Sequence, residues 1–236
     1  MNLIPAIDLI NGELVRLYKG DYDKKTVYNI DPLEVISEWG EIGVKRIHLV
    51  DLQGALLGGQ KNLTTIKNIT DNTNLTIQLG GGIRDLESCE KMIKMGVSKV
   101  IFGTAAITNP KEVEKSISTF GAQSVIVGVD VKYKKVQIKG WTEEAELTPE
   151  KLISDMKEIG VTQFMFTDVE KDGTLSDPNF KYMKELNTLA GHNAIVAGGI
   201  SSLDHIEILK KYEIENIVIG KAIYEGQIDL TKALQL

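Results

Sequence analysis

The sequence predicts a single α/β domain folded as a (βα)8, or TIM, barrel with an internal two-fold repeat. Three observations carry that prediction. Short β-branched runs alternate with longer amphipathic stretches eight times in 236 residues, close to the roughly 250 such a barrel takes. Several runs, such as Val100-Ile101-Phe102 and Val125-Ile126-Val127, are apolar without alternation, as strands covered on both faces of a parallel sheet are. Motifs also recur in register. Asp51 and Gly81 are 30 residues apart, as are Asp168 and Gly198; Gly82 and Gly103 are 21 apart, as are Gly199 and Gly220. The competing doubly wound sheet would need a G-x-G-x-x-G turn after its first strand, and residues 9–30 contain none.

In chain order, the first strand (3–7) ends on Asp8. Residues 9–30 are polar and Gly-bearing, with Arg16 and Gly20 among them, and suit either a lid over a site or a plain hairpin. Asp31-Pro32 opens a helix as N-cap and first helical residue, and Asn109-Pro110 and Thr148-Pro149 repeat the device. Strand 46–50 contains His48 and ends on Asp51. A helix over 62–72 leads to strand 75–79, which delivers Gly81-Gly82-Ile83-Arg84. A helix over 85–95 leads to strand 99–102, which delivers Gly103-Thr104. Strand 124–129 restarts the pattern and ends on Asp130, so the half-barrels divide at about 1–121 and 122–236. Lys139-Gly140-Trp141-Thr142 follows in a polar loop. Strand 162–166 leads into Thr167-Asp168 and a polar loop reaching Gly173-Thr174. A helix over 178–190 precedes strand 194–197 and Gly198-Gly199-Ile200-Ser201-Ser202. A helix over 202–211 precedes strand 215–219 and Gly220-Lys221-Ala222, and a last helix covers 228–235. Gly43, Gly96 and Gly160 each stand where a helix gives way to a strand.

Composition narrows the functional classes. A net charge of −6 argues against a general nucleic-acid binder. No apolar run reaches the roughly 18 residues of a membrane span, and the N-terminus carries no signal pattern. The single cysteine, Cys89, cannot form an internal disulfide and agrees with a reducing, cytoplasmic setting. A small-molecule enzyme is expected, without nucleic-acid, membrane or obligate protein partner, as a monomer.

In such a barrel the residues at strand C-termini and the loops beyond them form the active face. Asp8, Asp51, Asp130 and Asp168 all stand there. A single strand-terminal aspartate is an ordinary helix cap or turn former; four at symmetric positions point to a site. Asp8 and Asp130 fall on opposed strands and could divide acid and base work. No His or Cys accompanies the aspartates at ligand spacing, so no metal is expected. A lone Gly-Gly is a tight turn. Duplicated glycine motifs after the third, fourth, seventh and eighth strands point instead to two phosphate sites, where bare backbone N–H groups approach an anion. The substrate would then be elongated, with a phosphate at each end. Trp141 could stack on a flat ring or simply pack. His48 is expected to be packed or hydrogen-bonded, and His192 and His205 to lie on the surface.

The motifs Ile4-Pro5-Ala6-Ile7-Asp8-Leu9, Val15-Arg16-Leu17 with Lys19-Gly20-Asp21, His48-Leu49-Val50-Asp51-Leu52, Gly81-Gly82-Ile83-Arg84, Thr167-Asp168-Val169 with Asp172-Gly173-Thr174-Leu175, and Gly198-Gly199-Ile200 resemble the ProFAR isomerase family of histidine biosynthesis. The resemblance runs from Leu3 to about Tyr224. It implies a cofactor-free Amadori rearrangement of N-(5'-phosphoribosyl)formimino-AICAR ribonucleotide, with Asp8 as general base at C2' of the ribosyl unit and Asp130 as general acid in opening the furanose ring. It also implies that Arg84 and Trp141 meet the substrate, and that Lys171 stands where arginine is commoner. The sister cyclase of imidazole glycerol phosphate synthase shares these features but usually opens on Cys-Leu-Asp, where this chain has Ala6-Ile7-Asp8. A non-catalytic phosphosugar-binding barrel is a further alternative.

Overall fold

Successive side chains along a strand point to opposite faces, and the eight apolar runs bury both. On the first strand, Ile4 and Ala6 point inward and pack with Ile101, Ile126, Met165, Ile195, Ala197 and Val218 inside the barrel. Leu3, Ile7 and Leu9 point outward into the larger core beneath the helices. This two-sided burial is the reason the strands show no polar alternation.

The computed structural model describes residues 1–236. In chain order the elements are β1 (Asn2–Ile10), β2 (Glu13–Tyr18), β3 (Asp21–Tyr28), α1 (Pro32–Glu41), β4 (Arg46–Asp51), α2 (Leu52–Leu57), α3 (Leu63–Asn72), β5 (Thr76–Gly80), α4 (Leu86–Lys94), β6 (Lys99–Phe102), α5 (Thr104–Thr108), α6 (Pro110–Phe120), β7 (Val125–Lys132), β8 (Lys135–Ile138), β9 (Glu143–Glu144), α7 (Pro149–Glu158), β10 (Phe164–Asp168), α8 (Phe180–Leu189), β11 (Ala194–Ala197), α9 (Leu203–Lys211), β12 (Asn216–Ile219), α10 (Lys221–Tyr224) and α11 (Leu230–Ala233). Strands β1, β4, β5, β6, β7, β10, β11 and β12 pair in parallel in that order, and β12 pairs back onto β1. The ring is closed, so each of its eight strands has a partner on both sides. The eight strands fall within about three residues of the sequence reading, and the fold is the predicted (βα)8 barrel. No helix is long and apolar enough to cross a membrane.

The expected caps are partly realised. Asp31 accepts from the Leu33 amide (2.9 Å) and Thr148 from the Lys151 amide (3.3 Å). Asn109 does not repeat the device: its side chain makes no capping hydrogen bond, and Pro110 alone starts α6. The last helix is confined to Leu230–Ala233, shorter than the 228–235 expected. Three short helices, α2, α5 and α10, follow β4, β6 and β12 directly and have no counterpart in the sequence reading. With four to six residues each, they show too little periodicity to be read.

Residues 9–30 are a hairpin. β1 runs on to Ile10 and turns back through β2, with Asp8 opposite Val15, and β3 pairs with β2. The hairpin also covers the mouth of the barrel. The Lys19 amide donates to the Asp172 carbonyl (3.1 Å), and Arg16, Leu17, Gly20 and Tyr22 line the cavity there.

Candidate active site

The parallel strands all end at one mouth, so the residues at their C-termini share it. Asp8 ends the inward row of β1, and Asp130 lies near the end of β7, four strands round a ring of eight. Both line the same cavity, facing from opposed walls, but their surroundings differ. The Asp8 carboxylate pairs with Arg16 Nη1 at 2.6 Å, and both side chains are largely buried. Arg16 reaches Asp8 because β2 pairs with the end of β1, and its guanidinium also lies over the Tyr224 ring at 5.8 Å. Burial alone would lower the Arg16 pKa, but Asp8 and other neighbours outweigh it and leave the group above its ordinary value. Asp130 forms no ion pair. Burial pushes its pKa up, and the Trp141 indole and Thr167 hydroxyl offset part of that rise.

A third carboxyl belongs to this mouth. Asp172, in the loop after β10, lines the cavity, and burial pushes its pKa up to about 6. Arg16 pulls the value down, while Asp8, Asp130 and Asp168 push it further up. The sequence reading placed Asp172 in a motif but not among the site residues; the only available signal was its place in a polar loop after a barrel strand. Tyr22, Lys139 and His48 also line the cavity and were not assigned to it.

The duplicated glycines occupy equivalent places in space. Gly81 (φ +95°) and Gly198 (φ +98°) are each packed so closely on the backbone of the preceding strand-end aspartate, Asp51 and Asp168, that a Cβ would strike its carbonyl oxygen. The next residues repeat the device, Gly82 on the Gly59 carbonyl and Gly199 on that of Ser176. Gly103 and Gly220 share an unusual backbone, φ −96°, ψ −100° and φ −111°, ψ −105°. All six glycines line the cavity, as do Thr104 and Lys221. Nothing stands over Gly103, whereas Arg16 lies directly on Gly220. Thr104 Oγ1 accepts from the Lys139 amide (2.9 Å), and Lys221 Nζ donates to the Gly173 carbonyl (3.1 Å). Arg84 lies against the backbone of Gly58, where a Cβ would meet its guanidinium.

Three loops meet over the cavity. Trp141 lies against Gly20, with no room for a Cβ between them, and Gly173 packs in the same way on the Leu17 carbonyl. Arg84, Trp141, Thr167 and Gly173 all line the cavity.

Four expected binding residues do not face the cavity. Asp51 is fully buried, and its carboxylate accepts from the amides of Gly54 (2.8 Å), Lys61 and Asn62 (3.1 Å) and from Asn62 Nδ2 (2.7 Å). With its lone pairs so occupied it is a structural cap of the loop after β4. Asp168 accepts from the Glu170 amide (3.2 Å) and lies behind the lining. Thr174 Oγ1 donates to the Lys171 carbonyl (2.7 Å), and Ser201 Oγ to the Leu175 carbonyl (3.3 Å). His192 is exposed as expected. His205 is not a surface residue: it is buried under an edge-on contact with Phe180, and its Nδ1 accepts from the Ser201 amide (3.3 Å). No three or more His, Cys, Asp and Glu side chains gather as a metal site.

The model of the family described as histidine biosynthesis protein matches residues 2–229. The chain belongs to that family. Among curated relatives, the 1-(5-phosphoribosyl)-5-((5-phosphoribosylamino)methylideneamino)imidazole-4-carboxamide isomerase of Lactococcus lactis subsp. cremoris is 43% identical over 98% of this chain and 95% of its own. The isomerases of the same name from Lachnoclostridium phytofermentans and Dehalococcoides mccartyi are 42% and 40% identical over 100% of this chain, and over 99% and 96% of theirs.

Proposed function

We propose that this protein is the isomerase of histidine biosynthesis that converts ProFAR, the aminoaldose named in its relatives, to the corresponding aminoketose by an Amadori rearrangement. The observation that carries this reading is the pair Asp8 and Asp130, held on opposed strands of one mouth between two equivalent glycine cradles. Family membership and similarity along the whole chain support it. The reaction moves protons and leaves composition unchanged. One proton goes to the furanose ring oxygen as the C1'–O bond breaks. Another leaves C2' to give the enolamine, and a proton gained at C1' while the 2'-hydroxyl gives up its own completes the aminoketose. No redox partner is required, and the protein works without cofactor or metal, as a monomer in the cytoplasm.

Each carboxyl has a job that suits its surroundings. Asp8 is the base at C2'. Asp130 is the acid that helps open the ring, since burial without a cation favours its protonated form. Bare backbone at Gly82 and Gly103 holds one phosphate. Gly199 and Gly220, with Arg16 and Lys221 nearby, hold the other. Arg84 and Trp141 meet the aminoimidazole end, and Gly20 and Gly173 seat the covering loops.

One observation favours a second assignment of the acid. Asp172, held up to about 6, retains its proton nearer neutrality than an ordinary carboxyl does. Asp130→Asn and Asp172→Asn separate the two: the variant lacking the acid loses the fall of kcat with rising pH, and the other keeps it. The function itself is tested by product analysis. Aminoketose formed from ProFAR by the purified protein is expected. Imidazole glycerol phosphate formed from the aminoketose and ammonia, with no action on ProFAR, would make the protein a cyclase instead.

A further inference from the structure

One face of the β2–β3 hairpin carries both a guanidinium and a phenol ring. Arg16 lies opposite Thr26 and Leu14 opposite Tyr28, so Arg16 and Tyr28 are diagonal neighbours on that face. Tyr224, the last residue of α10, packs against both. Its ring centroid is 4.9 Å from that of Tyr28, and Arg16 Cζ stands 5.8 Å from it. Trp39 adds a third ring at 6.1 Å. Tyr224 does not line the cavity, and the chemistry assigned to the aspartates does not use it.

Arg16 has two places to be at once. Its Nη1 pairs with Asp8 at 2.6 Å, and its Nη2 occupies the place that a Gly220 Cβ would take. An ion pair through one nitrogen fixes a point and leaves the plane of a long, flexible side chain free. A guanidinium is planar and stacks on an aromatic face, so a ring within about 6 Å can set that plane. Tyr224 is itself well anchored. Its hydroxyl donates to the Ala6 carbonyl (2.8 Å), two residues before Asp8 on β1. Its helix begins at Lys221, directly after Gly220. The ring is thus tied both to the strand of Asp8 and to the glycine cradle. From the hairpin side the Tyr28 hydroxyl donates to Glu225 Oε1 (2.6 Å), which braces the stack. Burial pushes the Tyr224 pKa up, so the phenol keeps its proton and remains a donor.

We propose that Tyr224 is a positioning residue of the reaction: its ring fixes the plane of the Arg16 guanidinium, so that Nη1 meets Asp8 while Nη2 stays over the Gly220 cradle. The reaction rests on the isomerase reading; the platform does not. Through this ring a single guanidinium joins one phosphate cradle to Asp8.

The chain has three arginines, Arg16, Arg46 and Arg84, so their Nε–H signals are assigned by the resonances lost in Arg16→Met and Arg84→Met. In the substrate-free wild-type protein the ¹⁵N order parameter of Arg16 Nε should approach the roughly 0.85 of rigid backbone, well above that of the exposed Arg84. Tyr224→Leu should drop it below about 0.6, and Tyr224→Phe, which keeps the ring, should hold it. With ProFAR as substrate, Tyr224→Leu should lower kcat/KM by about tenfold, the scale of one desolvated cation–π contact, and Tyr224→Phe should recover most of that loss. In an Arg16→Met background Tyr224→Leu should cost no more than about twofold, because its partner is already gone. An Arg16 no more ordered than Arg84 in the wild-type protein, or a tenfold cost of Tyr224→Leu that persists without Arg16, would overturn the proposal; the first reading needs no variant of Tyr224 to fold. A wild-type protein that leaves ProFAR untouched would instead remove the isomerase reading, and the platform would then stand or fall on the order parameters.

Discussion

Asp51 and Asp168 occupy the same position in the two halves of the barrel, yet they have opposite surroundings. Each ends a strand, and each has a glycine 30 residues later packed onto its backbone. Around Asp51 the next loop folds back and supplies four donors, three backbone amides and the Asn62 amide nitrogen. Around Asp168 the loop supplies the Glu170 amide at 3.2 Å, and burial raises the Asp168 pKa. The pattern repeats at the mouth. Asp8 has Arg16 at 2.6 Å, and Asp130 has no ion pair; Gly103 is open, and Gly220 lies under Arg16. Backbone geometry has kept the two-fold symmetry while the side chains fed in by the loops have broken it. Two carboxyls can therefore sit at symmetric positions of one scaffold and still meet different partners.

The strongest test of that contrast is at Asp8 and Asp130, the pair proposed to carry the reaction. Asp8→Asn and Asp130→Asn should each lower ProFAR turnover by about a hundredfold or more, with unchanged circular dichroism. Near-normal turnover in either would break the pairing of roles. Next, Asp51→Ala should cost at least about 3 kcal/mol in urea unfolding, because several buried donors lose their acceptor, whereas Asp168→Ala should stay within about 1 kcal/mol. Equal losses would erase the difference between the halves. Gly81→Ala and Gly198→Ala should instead destabilise alike, by about 2 kcal/mol each, since both force a side chain into left-handed backbone against a carbonyl. A clear difference in their thermal midpoints would mean that the backbone symmetry is only apparent.

Smaller effects follow from Asp172. Its folded pKa of about 6 lies above the ordinary 3.8, so its contribution to stability is full below about pH 3.8 and is lost as pH rises through about 6. Asp172→Asn should therefore gain stability relative to the wild-type protein between pH 4.5 and pH 7.5, measured by urea unfolding at both. A gap that stays constant across that range would contradict the burial of this carboxyl. Trp141→Ala should weaken substrate binding several-fold, the scale of one aromatic contact, read as a rise in KM with little change in kcat.

The barrel was readable in the sequence because its signals are local. Two-sided strand burial leaves unbroken apolar runs, and the repeat spacing survives in the chain. Asp8 and Asp130 were readable for the same reason, as strand-end residues in register. What separates Asp51 from Asp168 was not, because it depends on where Gly54, Lys61 and Asn62 return in space. His205 looked like a surface residue on an amphipathic helix until Phe180 closed over it. Asp172 was one acid among several in a polar loop, and only its placement in the mouth beside Arg16 sets it apart.

The hairpin formed by β2 and β3 has a consequence for timing. The strand that carries Asp8 continues directly into the flap that carries Arg16, and that flap touches the loops bearing Trp141 and Asp172. Raising it to admit a substrate would carry the guanidinium away from Asp8. Asp8, the proposed base, would meet its counter-ion only once the entrance has closed, so that capture would arm the site and release disarm it.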